Sequence, residues 1–165
     1  MPQTRARVIT CSDAAFRGER EDRSGPALRE ALRSEGYEVD AVVVVPDDEK
    51  RITAAILEAT DRDRVPLVVT TGGTGIAARD VTVEATARIA DKRIDGFGEL
   101  IRLRSLEATP MAPLSRAQAV TRGASLILNL PGSPRGAVDG FAAVKHLVPH
   151  ALELLSKPRV ERHPE

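Results

Sequence analysis

One segment of the chain has residue types that could bind an anion through the backbone. Residues 70–75 read Thr-Thr-Gly-Gly-Thr-Gly and end an apolar run that begins at Leu67. Glycines here let successive backbone N–H groups turn towards an anion, because no side chain blocks the approach. A tight turn that needs only positive φ is the alternative, and three glycines with two threonines favour anion binding. The predicted glycine loop comprises Gly72, Gly73, Thr74 and Gly75.

The residues after Gly75 narrow the kind of anion. A P-loop requires Lys followed by Ser or Thr after its last glycine, and this chain has Ile-Ala-Ala at residues 76–78. Residues 73–78 do fit the dinucleotide pattern G-x-G-x-x-A. That pattern belongs after the first strand of its sheet, whereas here it follows the third, and charged residues 79–80 stand where apolar packing should begin. A dinucleotide-dependent oxidoreductase stays an alternative that this context disfavours.

Two aspartates could bring a cation to the glycine loop. Asp80 lies five residues after Gly75, and Asp47 follows the second predicted strand. A carboxylate beside bound phosphates repels them unless a cation intervenes, and Mg²⁺ is commonly held by one or two carboxylates plus phosphate oxygens. Helix capping is the alternative role for each acid, as is an ion pair between Asp80 and Arg79. Their convergence on one edge of the sheet favours a Mg²⁺ site that contains both.

The histidines, the cysteine and the serines of the chain do not support a metal site or a protein nucleophile. His146 and His150 have the spacing of metal ligands on a helix, but the sequence places no third ligand near them. Cys11 has no neighbouring histidine to activate it, which favours a small buried side chain over a nucleophile. The chain also lacks the G-x-S-x-G pattern of a serine hydrolase.

Apolar runs and amphipathic segments alternate along the chain and predict the elements that position these residues. Strands are expected at residues 8–11, 37–45, 67–71 and 125–130, and helices at 24–35, 46–60, 83–92, 98–107, 115–122 and 137–155. Four consecutive valines at 42–45 favour a strand covered on both faces. The order predicts an α/β fold, a three-layer sandwich with a mostly parallel central sheet and helices on both faces. Ligands of such sheets bind beyond the carboxyl ends of the strands.

Length and composition place limits on the class of protein. The chain has 165 residues with 24 basic and 24 acidic side chains, a single cysteine and only 2% aromatics. One domain over residues 1–165 is expected, with flexible tails at 1–5 and 157–165. Zero formal charge argues against nucleic acid or an anionic membrane as partner. The sequence has no apolar run long enough to span a bilayer, so a cytoplasmic location is expected.

Four segments together resemble the molybdopterin adenylyltransferase family, the MogA/MoaB group to which the G domain of gephyrin is similar. They are VITCSDAAFRGEREDRSGPAL at 8–28, VVVVPDDEKRI at 42–52, TTGGTGIAARDVTVEAT at 70–86, and the ordered set GFGELIR, PLSRA and LILNLPGSP between 96 and 134. The third contains nearly the whole family signature, T-G-G-T-G followed by R-D-V-T-x-E-A. The resemblance extends over residues 6–155.

The resemblance implies a trimeric protein that binds molybdopterin and ATP with Mg²⁺ and transfers AMP to the terminal phosphate of the pterin. By position, Asp47 and Asp80 match the family's two functional acids, and the glycine loop matches its phosphate-binding loop. The family's substrate-lining segments contain Ser12, Asp13, Ser115, Asn129, Pro131, Gly132 and Ser133. Two residues depart from the pattern: Ile76 stands where many members have proline, and Ser133 where asparagine or glutamine is frequent.

Two alternatives share this fold. The same pocket could sequester a pterin or a nucleotide without turnover. The chain could also serve mainly as an assembly subunit that docks a molybdenum-insertase partner. The presence of both Asp47 and Asp80 favours an enzyme.

Overall fold

A seven-stranded sheet forms the centre of the protein in a computed structural model that describes residues 3–157. The strands are β1 Arg5–Cys11, β2 Glu38–Val39, β3 Val43–Val45, β4 Leu67–Thr71, β5 Lys92–Arg93, β6 Gln118–Arg122 and β7 Ser125–Leu130. Their order is β2-β1-β4-β7-β6-β5, and β3 also pairs with β1. The pairings among β1, β2, β3, β4 and β7 are parallel, whereas β6 is antiparallel to both β5 and β7.

Seven helices accompany the sheet within the described residues. They are α1 Asp13–Phe16, α2 Ser24–Ser34, α3 Glu49–Leu57, α4 Thr82–Ala87, α5 Asp95–Ser105, α6 Pro134–Val144 and α7 Val148–Ser156. A π-helical turn, Glu58–Arg62, extends α3, and a 3₁₀ turn, Ala112–Leu114, precedes β6. None of the described helices is long and apolar enough to cross a membrane.

The core is divided into two layers by the alternation of side chains along the strands. On β4, Leu67 and Val69 face a cluster that includes residues of α2, α5, α6 and α7. Val68, between them, faces the other cluster, where Ile52 and Ile56 of α3 pack. Successive strand side chains point to opposite faces, so the fully buried β4 requires a helical layer on each side. The predicted three-layer α/β sandwich is confirmed.

The predicted helix at 115–122 is wrong, because β6 occupies residues 118–122. Four consecutive residues of β6, Gln118 to Thr121, are buried, as an inner strand requires. Val120 and Thr121 are β-branched and favour extended backbone. Gly123, with φ of +52°, supplies the reversal that lets β6 return as β7.

Other predicted boundaries also differ from the structure. The strand at 37–45 is two short strands separated at residues 40–42, and Val43 is 36% exposed rather than covered on both faces. The helix predicted at 83–92 ends at Ala87, and the one at 137–155 is divided into α6 and α7, with Pro149 in the first turn of α7. Arg5, assigned to a tail, begins β1. Residues 1–2 and 158–165 of the predicted tails lie outside the described residues.

Candidate active site

A cavity of about 740 Å³ opens at the carboxyl ends of β1, β3, β4 and β7. That size falls in the range of small-molecule sites. Predicted site residues from four separate chain segments line it: Ser12, Asp47, Gly72, Gly73, Asp80, Gly132 and Ser133. The topology therefore brings the two acids and the start of the glycine loop to one cavity.

The glycines at the start of the loop are required by close contacts. Gly72 has φ of +100°, and a Cβ on it would lie 2.2 Å from the carbonyl oxygen of Cys11. Gly73 has φ of +68°, and its Cβ would lie 2.1 Å from Oγ1 of Thr82. No larger residue fits either position without displacing a neighbour.

Not every amide of the loop is available to an anion. The N–H of Gly72 donates to the carbonyl oxygen of Leu130 at 3.1 Å, which continues the pairing of β4 with β7. The amides of Gly73, Thr74 and Gly75 have no acceptor among the described residues. The anion cup predicted over 72–75 therefore begins at Gly73, since the sheet uses the first amide.

Asp47 is held at the cavity by a reciprocal pair of hydrogen bonds with Asp13. The N–H of Asp13 donates to Oδ2 of Asp47 at 2.9 Å, and the N–H of Asp47 donates to Oδ1 of Asp13 at 3.0 Å. Burial raises the pKa of the Asp47 carboxyl, and the bond from Asp13 opposes that shift. Hydrogen bonds from Arg79 hold the pKa of Asp13 below its ordinary value. Within residues 3–157, Oδ1 of Asp47 has no donor.

Asp80 folds back towards its own loop. Its Oδ2 accepts a 2.9 Å hydrogen bond from the N–H of Ala77. A Cβ on Gly75 would lie 2.6 Å from the same oxygen, so a glycine at 75 leaves room for the carboxylate. Asp80 lines the cavity and adds to the electrostatic rise in the pKa of Asp47, which indicates that the two acids share one electrostatic environment.

Arg116 fixes the backbone that carries Asp80. Its Nε donates to the carbonyl oxygen of Gly75 and its Nη2 to that of Asp80, both at 2.8 Å, and its own N–H donates to the carbonyl oxygen of Thr74 at 2.8 Å. The guanidinium also pairs with Glu84, on α4. A planar group with several fixed donors suits this task better than a single ammonium.

Several predicted site residues lie away from the cavity wall. Asn129 is completely buried, where Nδ2 donates to Thr70 and Thr86 and Oδ1 accepts from Gln118. Ser115 lines a different cavity, beside α5. The remaining predicted residues that are not part of the wall of the main cavity are Asp13, Thr74, Gly75 and Pro131.

The cavity also contains residues that the sequence analysis missed. Arg20 and Arg23 line it from the segment between α1 and α2, and Asp22 beside them accepts from Oγ1 of Thr10 at 2.8 Å and caps α2 through the N–H of Gly25. The sequence does contain a signal for them, because residues 20–23 lie in the charged segment that links the first predicted strand to the helix predicted from residue 24. Cys11 is buried, and burial raises its pKa to about 12, so its thiol is not suited to act as a nucleophile.

The donor set fits Mg²⁺ better than a soft metal. Each of the two acids has one carboxylate oxygen bonded to a backbone N–H and a second with no donor among residues 3–157. Mg²⁺ binds through one or two carboxylates together with substrate phosphates and does not require a closed protein cage. No group of three or more His, Cys, Asp or Glu side chains suited to a metal occurs in the described part of the chain.

Comparisons with known proteins agree on one family. The family profile described as "Probable molybdopterin binding domain" matches residues 7–150. The chain is 40% identical over 152 residues to the molybdopterin adenylyltransferase of Helicobacter pylori strain J99, covering 90% of this chain and 85% of the relative. It is 38% identical over 180 aligned positions to the enzyme of that name from Escherichia coli K12, covering 100% and 92%. The crystal structure of the molybdopterin biosynthesis enzyme MoaB from Thermus thermophilus superposes with a TM-score of 0.88 at 46% identity, covering 94% of this chain and 99% of that one.

Proposed function

The chain belongs to the family of molybdopterin-binding domains, and we propose that it is a molybdopterin adenylyltransferase, as its relatives are named. The reaction would transfer AMP from ATP to the terminal phosphate of molybdopterin during synthesis of the molybdenum cofactor. An oxygen of that phosphate attacks the α-phosphorus of ATP, the bond from this phosphorus to the β-phosphate oxygen breaks, and pyrophosphate leaves.

The observation that supports this proposal is the meeting of two acids and the start of the glycine loop, Gly72 and Gly73, in one cavity. The nucleophile is a substrate phosphate that is already anionic at neutral pH, so the protein does not need to supply a nucleophile or a base for it. Catalysis then consists largely of positioning and of charge stabilisation. A buried, protonated Cys11 is consistent with that requirement.

The chain's own residues have separate tasks in this reaction. The amide of Gly73, which lines the cavity and has no acceptor among the described residues, binds a phosphate oxygen. Arg20 and Arg23, from the segment between α1 and α2, add positive charge to a site that otherwise contains several carboxylates. Ser133 caps α6 by accepting from the N–H of Gly136 at 3.0 Å, which keeps the start of that helix at the cavity.

We assign the metal-holding role to Asp47 and Asp80, through the carboxylate oxygens that have no donor among the described residues. Bound there, Mg²⁺ would supply neutralisation of the phosphate charge in the transition state. Asp13 holds the carboxylate of Asp47, and Ala77 and Arg116 hold the side chain and backbone of Asp80.

A pyrophosphate-release assay tests the proposal. The purified chain, ATP, Mg²⁺ and molybdopterin are combined, and both pyrophosphate and adenylylated molybdopterin are quantified. We expect both products in equal amounts, and none when molybdopterin is omitted. Saturable binding of molybdopterin with no pyrophosphate would instead support the non-catalytic alternative, and saturable binding of NAD(P) would support the oxidoreductase.

We also propose that the chain assembles as a homotrimer, as the family resemblance implies. Four large apolar side chains within residues 103–114 are exposed: Leu103, Leu106, Met111 and Leu114, at 63%, 47%, 61% and 53%. Contiguous patches of exposed apolar side chains commonly form contacts between subunits. Sedimentation should give three times the mass of 17.7 kDa, and Leu103→Asp should lower it. A monomeric wild type would contradict the proposal.

A further inference from the structure

We propose that Arg79 is a positioning residue that holds the carboxylate of Asp47 at the cavity by way of Asp13. The inference rests on the proposed function, since it gives Arg79 a part in adenylyl transfer. The side chain of Arg79 does not line the cavity and donates to Asp13 instead, so the role that we assign to it is exerted through Asp13.

Hydrogen bonds connect three loops that are far apart in sequence. Nε and Nη2 of Arg79 donate to Oδ2 of Asp13 at 2.9 and 2.7 Å. Oδ1 of Asp13 accepts from the N–H of Asp47, and Oδ2 of Asp47 accepts from the N–H of Asp13. Both oxygens of Asp13 are therefore occupied by protein donors. Asp13 is thus a connector between Arg79 and Asp47.

The connection also reaches the second acid, because Arg79 and Asp80 are consecutive. The side chain of Arg79 is directed to Asp13, while that of Asp80 accepts from the N–H of Ala77 in its own loop. A single peptide unit thus joins Arg79, which anchors Asp47 through Asp13, to Asp80, which carries the other carboxylate. The bond between Arg79 and Asp13 therefore sets where one acid lies relative to the other.

A purely stabilising role does not fit the exposure of Arg79. Its side chain is 67% exposed and that of Asp13 is 21% exposed, and an ion pair with one partner so open to solvent adds little to the stability of a fold. Placement of a catalytic group is more sensitive, since a displacement of about 1 Å can lower a rate by about 100-fold. Loss of Arg79 should thus reduce turnover much more than stability.

The test compares Arg79→Gln and Arg79→Lys with a matched control, Arg62→Gln. Arg62 is 68% exposed and pairs with Glu58 and Asp63 in and after the turn that follows α3, so this variant removes the same charge from an equally exposed arginine. We expect Arg79→Gln to lower kcat by about 10-fold or more with KM for ATP changed by less than about 2-fold. Arg79→Lys should recover part of the loss, and Arg62→Gln should match the wild type.

A double variant tests whether Arg79 acts through Asp13. The variant that combines Arg79→Gln with Asp13→Asn should have a kcat no lower than that of Asp13→Asn alone, because the effects of two substitutions in one chain of contacts do not add. Additive losses would overturn the inference. So would an Arg79→Gln enzyme with wild-type kcat.

Hydrogen exchange supplies a readout that does not depend on turnover. By NMR, the amides of Asp13 and Asp47 should exchange at least about 10-fold faster in Arg79→Gln than in the wild type, with other amides unchanged. Unchanged exchange at both would overturn the inference. If the wild type releases no pyrophosphate while this exchange effect is present, the proposed function fails and the positioning of Asp47 stands.

Discussion

Nη2 of Arg116 donates a hydrogen bond of 2.8 Å to the carbonyl oxygen of Asp80, across 36 residues of sequence. The same guanidinium binds the carbonyl oxygen of Gly75, so one side chain closes both ends of the segment that separates the glycine loop from the acid. The shape of this segment is consequently set by a residue that precedes β6.

Replacing Arg116 by lysine should loosen that segment. An ammonium is a single point donor and cannot hold both carbonyl oxygens in the geometry of a guanidinium. We expect the free energy of unfolding to fall by about 1–3 kcal/mol and kcat to fall by about 10-fold or more. Urea denaturation and the pyrophosphate assay measure the two effects. Wild-type values of both would refute the role given to Arg116.

Replacing Asp80 by asparagine should remove turnover and spare binding. Asparagine has the size of aspartate but not its charge, so metal retention fails while the loop keeps its shape. We expect the rate of adenylyl transfer to fall by about 100-fold or more and the Kd for molybdopterin to change by less than about 3-fold, by calorimetry.

Asp48→Asn is the matched control for Asp80→Asn. Asp48 caps α3 through the N–H of Arg51, and asparagine caps helices equally well. This variant should keep wild-type turnover. Near wild-type adenylyl transfer by Asp80→Asn would mean that Asp80 does not hold the metal.

Replacing Gly72 by alanine should strongly destabilise the protein. The new Cβ would meet the carbonyl oxygen of Cys11 at 2.2 Å, so the end of β4 must move away from β1. We expect a loss of more than about 3 kcal/mol, measured by urea denaturation. Gly36→Ala separates this clash from backbone strain, because Gly36 has φ of +88° and open space around it. Gly36→Ala should lower the free energy of unfolding by about 1 kcal/mol. An equal loss in Gly72→Ala would show that the clash with Cys11 is relieved by movement of the backbone.

Replacing Asn129 by leucine tests whether this residue stabilises the fold or binds substrate. The change removes the partner of Thr70, Thr86 and Gln118 inside the sheet. Leaving buried polar groups without partners should lower the free energy of unfolding by about 3 kcal/mol, with an unchanged Kd for molybdopterin in the folded protein. Unchanged stability with lost binding of molybdopterin would show that Asn129 binds substrate.

Acid should weaken the link between Asp61 and Arg122. Hydrogen bonds, chiefly from Arg122 and then from Thr60, lower the pKa of Asp61 from its ordinary 3.8 to about 2. Because the folded-state pKa is the lower one, the stabilisation is fully present above 3.8 and is lost as the pH falls towards 2. Asp61→Asn should therefore reduce stability near neutral pH, with a difference from wild type that shrinks below pH 3.8 and vanishes only below about pH 2. A difference independent of pH would contradict this.

Local patterns predicted the elements whose signal lies within one short segment. The apolar run at 67–71 and the glycines after it indicated β4 and its loop, and both acids were placed at the correct edge because parallel strands share it. The segment 115–122 was misassigned because the burial that makes β6 a strand comes from its neighbours in the sheet. Periodicity in so short a segment does not contain that information.

The supporting arginines could not be found in the same way. Arg79 is 66 residues from Asp13, and Asp13 is 34 residues from Asp47, so their hydrogen bonds exist only once three loops have met. Asn129 shows the opposite case. The family resemblance places it in a substrate-lining segment, whereas the structure directs its side chain into the protein interior, towards Thr70 of β4 and Thr86 of α4.

The position of β1 between β3 and β4 has a consequence for synthesis on the ribosome. β1 is made first, yet its partner β4 ends only at Thr71 and the cavity gains Gly132 and Ser133 later still. A nascent chain that ends before Leu67 leaves one side of β1 as an unpaired apolar edge, the kind of surface that promotes misassociation. Arrested chains of increasing length should thus bind nucleotide only after residue 134 has emerged from the exit tunnel.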